Sequence, residues 1–149
     1  MYQRTSHHHG TSEGERRRRR WQLLVESPDP ALAVSDFTAF RQAGFDITLC
    51  GGPLADANEC PLVNGEPCPL ATEADVVLFD LGDDRDDAAR RTRVLDALRA
   101  FRPDLPIVVR SATAPPGTAD ADRIGPATSV AGQVEALCRA ALNSARDER

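Results

Sequence analysis

Short apolar runs alternate along this chain with stretches of helical period. Trp21 to Val25 is a compact apolar run bounded by arginines and by Ser27-Pro28-Asp29-Pro30, which reads as a buried strand followed by a turn. Asp29 as N-cap and Pro30 at the first helical position predict a helix start. Ala33, Phe37 and Phe40 recur at helical spacing, and Gly44 closes that helix. Phe45 to Cys50 is the second strand and Ala74 to Leu81 the third. Val76, Val77, Leu78 and Phe79 are consecutive apolar residues, as expected of a parallel strand covered on both faces. A helix is expected from about Asp86 to Phe101, with Val94, Leu95, Leu98 and Phe101 on one face and the arginines facing out. Pro106 to Val109 is the fourth strand and Ala121 to Ile124 a short fifth. Val130, Val134, Leu137, Ala141 and Leu142 mark a final amphipathic helix. Cys138 lies on that apolar stripe and reads as core. Strands alternating with helices predict an α/β fold: a doubly wound, five-stranded parallel sheet in a three-layer sandwich.

Charge divides the chain in two. Residues 1–20 carry a net charge of +4 and the remainder −9, summing to −5 over 149 residues. The first segment is almost without apolar residues and cannot repay the entropy of ordering. A disordered basic tail over 1–20 and one domain over 21–145 are therefore expected. His7, His8 and His9 and the run Arg16 to Arg20 read as solvated tail residues. The acidic body argues against nucleic-acid binding there. No window approaches the roughly 18 uninterrupted apolar residues of a membrane span. The apolar run after the arginines stops at Glu26, too short for an export signal, so a cytoplasmic location is expected. All 18 basic residues outside histidine are arginine, which excludes lysine chemistry.

Ligands of such sheets gather at the carboxyl ends of the strands. Glu26 and Ser27 follow the first strand, Asp80 ends the third and Ser111 follows the fourth. These oxygen-bearing side chains are candidates for one pocket. As alternatives, Ser27 and Ser111 serve as turn or cap residues.

At these positions the chain resembles a bacterial response-regulator receiver domain. Leu23-Leu24-Val25-Glu26-Ser27 resembles the first strand with its acidic pair. Ala74-Asp75-Val76-Val77-Leu78-Phe79-Asp80-Leu81 is similar to the strand bearing the phospho-accepting aspartate. Pro106-Ile107-Val108-Val109-Arg110-Ser111-Ala112 is similar to the strand ending in the Ser/Thr switch residue. The resemblance covers residues 21–143. It implies a receiver-like, flavodoxin-like fold, with Asp80 equivalent to the phospho-acceptor. The sequence also departs from that pattern. Ser27 replaces one member of the acidic pair, and Gly125, before Pro126, stands where the family has a lysine. The resemblance thus implies Mg²⁺ binding that is weakened or absent, and a loss of the charge stabilisation on which phosphoryl transfer depends.

The segment from Cys50 to Pro69 holds Gly51, Gly52, Pro53, Pro61, Gly65, Pro67 and Pro69, so an irregular loop is expected over 50–69, with at most a short turn around Leu54 to Asn58. Cys50, Cys60 and Cys68 in this loop allow three chemistries. They are ligands of a zinc ion or an iron–sulfur cluster, with Asp56, Glu59 or Glu66 as a fourth ligand; a redox disulfide; or packed thiols. A Cys60–Cys68 bridge closes a small loop, worth roughly 2–3 kcal/mol in chain entropy. Such a bridge in the cytoplasm switches more readily than it staples.

An enzyme is not expected. The body holds no histidine for acid–base work and no glycine-rich phosphate loop after the first strand. The expected function is an atypical, stand-alone receiver-like signalling module. It acts by protein–protein contact and without standard aspartate phosphorylation; a homodimer is compatible. The alternative is a metal- or thiol-redox sensor that uses Cys50, Cys60 and Cys68 on a receiver scaffold.

Overall fold

The computed structural model describes residues 19–29, 37–51, 60–82 and 85–147. The tail over 1–18, the proposed start of the first helix, the turn around Leu54 to Asn58, and Asp56 and Glu59 lie outside the described residues. Five strands form one parallel sheet: β1 (Trp21–Glu26), β2 (Phe45–Cys50), β3 (Val76–Asp80), β4 (Ile107–Arg110) and β5 (Arg123–Ile124). Their order is β2-β1-β3-β4-β5. The chain therefore changes direction across the sheet between β1 and β3, the arrangement that opens a crevice at the strand ends.

The described helices are α1 (Phe37–Gln42), α2 (Pro69–Glu73), α3 (Arg85–Phe101) and α4 (Val130–Asp147). Strand side chains alternate between two apolar layers. One layer joins Leu23, Val25, Phe45, Val76, Leu78 and Val108 to Phe40 of α1 and Leu137 of α4. The other joins Leu24, Val77, Phe79 and Val109 to Leu95 and Leu98 of α3. The expected three-layer sandwich is thereby formed. Each fully buried aliphatic side chain contributes about 1.5–3 kcal/mol of transfer free energy.

Several local expectations are corrected. The 50–69 segment is not wholly irregular. A 3₁₀ turn forms at Pro61–Asn64 and α2 begins at Pro69, each with proline in its first turn and a cysteine, Cys60 or Cys68, just before it. Proline has no N–H to lose at a helix start, so it initiates these helices as well as preventing long ones. The fifth strand is only Arg123–Ile124, because Asp120–Asp122 turns as a 3₁₀ helix. β4 extends one residue beyond expectation, to Arg110. The arginines of α3 do not all face out: Arg91 is 3% exposed.

Candidate functional site at the carboxyl end of the sheet

Asp80 ends the central strand and lies in register with Arg110 on β4. It shares the parity of Val76 and Leu78, so its side chain lies on the α1/α4 face. Arg110 shares the parity of Val108 and meets it there. Arg110 Nη2 donates to Asp80 Oδ2 at 2.6 Å, and both side chains are 14% exposed. The other carboxylate oxygen, Oδ1, accepts the Gly82 N–H at 2.9 Å. Ser27 Oγ lies 3.4 Å from Oδ2 and 3.3 Å from the carbonyl oxygen of Asp29. Its single proton serves one of these acceptors at a time. It also accepts the Asp29 N–H at 3.3 Å. Gln133, buried on α4, accepts from Arg110 Nη1 at 3.4 Å and donates to the Thr128 carbonyl at 3.1 Å. The guanidinium is thus held from two sides, and Asp80 is a carboxylate whose two oxygens are both engaged.

Glu26 does not join this group. It shares the parity of Leu24 and faces the opposite layer, beneath the sheet. There Arg91 Nη2 lies 3.8 Å from Glu26 Oε1, and the Arg91 guanidinium stands 5.5 Å from the Phe79 ring centroid. Arg91 Nε and Nη2 also donate to the backbone carbonyl of Asp80 at 2.9 and 2.5 Å. Arg91 therefore connects Glu26, on one layer, to the backbone of the residue that carries the site on the other. Burial pushes the Glu26 carboxyl above its ordinary range; the Cys50 thiol, donating to it, and the Arg91 charge offset part of that rise. Among the described residues Glu26 Oε1 has no hydrogen-bond partner.

Ser111 and Gly125 are placed elsewhere in the strand-end region. The Ser111 amide donates to the Ile124 carbonyl at 3.0 Å, and its own carbonyl accepts from Arg123 at 3.0 Å. No described hydrogen bond joins it to Asp80. The Gly125 carbonyl accepts the Thr128 N–H at 3.1 Å, in the turn that leads to α4.

The donor set does not fit a magnesium ion. Among the described residues, the Asp80 carboxylate already bears a guanidinium, Ser27 offers a neutral hydroxyl, and Glu26 points into the other layer.

Cys50, Cys60 and Cys68 all pack half-buried against the α3 layer, whereas Cys138 packs in the α4 layer as expected. None of the four is in a disulfide. Burial pushes the Cys60 thiol up; the Leu62 and Val63 amides, too loosely aimed to count as caps, pull it down, and the neighbouring Glu26 and Cys68 push it up. Among the described residues, no three His, Cys, Asp or Glu side chains are grouped to hold a metal ion.

Arg110, Arg91 and Gln133 were not anticipated as site residues. Signals for the two arginines existed. Arg110 follows Val108 at strand period, and Arg91 precedes Val94, Leu95 and Leu98 at helical spacing. A cleft of about 770 Å³ lies at the other end of the sheet, lined by Arg19, Trp21, Asp75, Arg102 and Ser144, among others. Its arginines are paired, Arg19 with Asp75 and Arg102 with Asp104.

The chain has the fold of response-regulator receiver domains. It superposes on a CheY-like receiver domain protein from Methanospirillum hungatei with a TM-score of 0.58 and 12% identity, covering 86% of this chain and 98% of that one. A response-regulator receiver protein from Sinorhizobium medicae gives 0.54 and 17%, with 84% and 97% covered. A structure described as a transiently phosphorylated "switch" in bacterial signal transduction gives 0.57 and 17%, with 85% and 98% covered. No protein-family model matches the sequence. No curated protein matches it either.

Proposed function

We propose that this chain is a receiver-like signalling module that works through protein–protein contact, without a phosphorylation cycle at Asp80. The observation that carries this reading is the 2.6 Å Arg110–Asp80 ion pair. An attacking carboxylate needs a free lone pair and a cation that neutralises the incoming phosphoryl group. At Asp80 the charge is already spent on Arg110, and Oδ1 accepts the Gly82 N–H. The fold likeness to receivers, one of them described as transiently phosphorylated, supports a signalling role. With no histidine in the body, the reading is non-enzymatic. The net −9 beyond residue 20 favours protein partners over nucleic acid, and a second copy of the chain is compatible. Among the described residues no helix is long and apolar enough to cross a membrane. A cytoplasmic location remains part of the same reading.

The test is exposure of the full chain to acetyl phosphate with Mg²⁺, followed by intact-mass measurement. The expected result is no acyl-phosphate. A hydroxylamine-labile phosphoryl adduct that disappears in Asp80→Asn overturns the reading.

A further inference from the structure

After β5 the chain turns and starts α4 through a stretch, 125–134, that holds no charged residue. From Gly125 to Gln133, only Gln133 is buried. Among the described residues, no apolar side chain of 125–133 belongs to either core layer. Apolar packing holds α4 further along, at Ala136, Leu137 and Ala141, but not at its first turn. Hydrogen bonds hold that turn instead. Ser129 Oγ accepts the Gly132 N–H at 3.2 Å, as a helix cap does. The Thr128 N–H donates to the Gly125 carbonyl at 3.1 Å, and the Thr128 carbonyl accepts Gln133 Nε2 at 3.1 Å. These bonds join the turn to the helix, not to the rest of the sheet. Among the described residues, one side-chain hydrogen bond leads from this stretch into the sheet. It is the 3.4 Å bond from Arg110 Nη1 to Gln133 Oε1. The same guanidinium donates through Nη2 to Asp80 Oδ2 at 2.6 Å. Bonds to an ionised acceptor are roughly twice as strong as neutral ones, so Asp80 decides where this guanidinium points.

We propose that Asp80 is a standing anchor for the start of α4. Its carboxylate charge aims Arg110 at Gln133, and Gln133 holds the turn over 125–129 and the first turn of the helix. The proposal rests on the reading that Asp80 undergoes no phosphorylation cycle, and it gives the residue a permanent task in shaping the contact surface. The residues set in place include Pro126, Ala127, Ser129 and Ala131, which are exposed and uncharged on an otherwise acidic body. Asp80 and Arg110 are thus positioning residues for a neutral patch at the edge of the molecule. Without the Asp80 charge the line from β3 to α4 slackens. The helix start then opens locally while the sheet and the rest of α4, packed through Leu137 and Ala141, stay closed.

The measurement is amide hydrogen exchange of the full chain, read by mass spectrometry on peptides covering 125–134. In Asp80→Asn these amides are expected to exchange about fivefold faster or more, as when a charge-assisted bond becomes a neutral one. Peptides of α3 and of α4 beyond Leu137 are expected to keep their wild-type rates. Arg110→Gln, too short to span both partners, is a second way of cutting the line and is expected to act alike. Gln133→Met keeps the volume but loses the bonds, and is expected to speed the same peptides. The double variant Asp80→Asn/Gln133→Met is expected to be no faster than Gln133→Met alone, because both changes cut one line. Circular dichroism identifies the folded variants. Three results overturn the proposal. One is wild-type exchange over 125–134 in folded Asp80→Asn or folded Arg110→Gln. The second is an equal acceleration of every peptide, which marks a loss of global stability alone. The third is additive acceleration in the double variant. Exchange is read on chain that has met no phosphoryl donor, so its failure is distinguishable from an acyl-phosphate forming at Asp80.

Discussion

Arg91 is a buried cation with three polar or aromatic partners, and its loss leaves each of them short. Arg91→Ala removes both donors to the Asp80 carbonyl and leaves Glu26 without its cation, 7% exposed. Breaking a buried pair from one side costs about 3–5 kcal/mol. Urea denaturation of Arg91→Ala against wild type is expected to show a loss of that size. Glu26 gives a pH signature. Its carboxyl is held above the ordinary value by burial, against the opposing effects of the Cys50 thiol and Arg91, and with Cys60 beside it. The folded state therefore binds this proton more tightly than the unfolded one. The resulting stabilisation is full below the ordinary carboxylate range and is lost as pH rises through the raised value. Stability measured across that window is expected to fall with pH in the wild type and to stay flatter in Glu26→Gln. Gly82 has φ of +70°, and a Cβ there would stand 3.1 Å from Pro28 Cγ. Gly82→Ala is expected to cost at least about 1–2 kcal/mol by the same denaturation, the usual penalty of a left-handed conformation for an L-residue.

At the scale of elements, α3 and α4 cover opposite faces of one sheet. Leu95 on α3 and Leu137 on α4 are each 0% exposed. Leu95→Ala and Leu137→Ala each leave a cavity and are expected to cost about 2–5 kcal/mol. The two layers are separated by the sheet, so the double variant is expected to show nearly additive losses in urea midpoint. The helical period made both leucines legible as core. The same period places Arg91 in the α3 stripe, but an arginine reads as surface until a partner is known. In the core Arg91 is held by two hydrogen bonds to the Asp80 carbonyl, at the end of β3, and by the Glu26 carboxylate.

For the whole molecule, the central strands β1 and β3 contribute side chains to both layers. Neither layer is a separate folding unit. Unfolding is expected to be a single transition, with the fluorescence of Trp21, the only tryptophan, and far-UV circular dichroism coinciding in urea. Distinct midpoints for the two signals would show that the layers open separately.

The strands, the α3 and α4 helices and the parallel three-layer arrangement were legible in the chain because burial on both sheet faces leaves continuous apolar runs and a 3.6-residue stripe. Asp80 was legible as a strand-end residue for the same reason. The partners of Asp80 were not. A strand places alternate residues on opposite faces, so Glu26 and Ser27, neighbours in sequence, separate into different layers, and Arg110, thirty positions from Asp80, arrives beside it. Likewise, cysteines spaced in no recognised ligand pattern were gathered on one layer by two short proline-initiated helices. Local pattern determines which face a residue takes. Which side chain meets it there is settled by strand order and register, and these are properties of the assembled sheet.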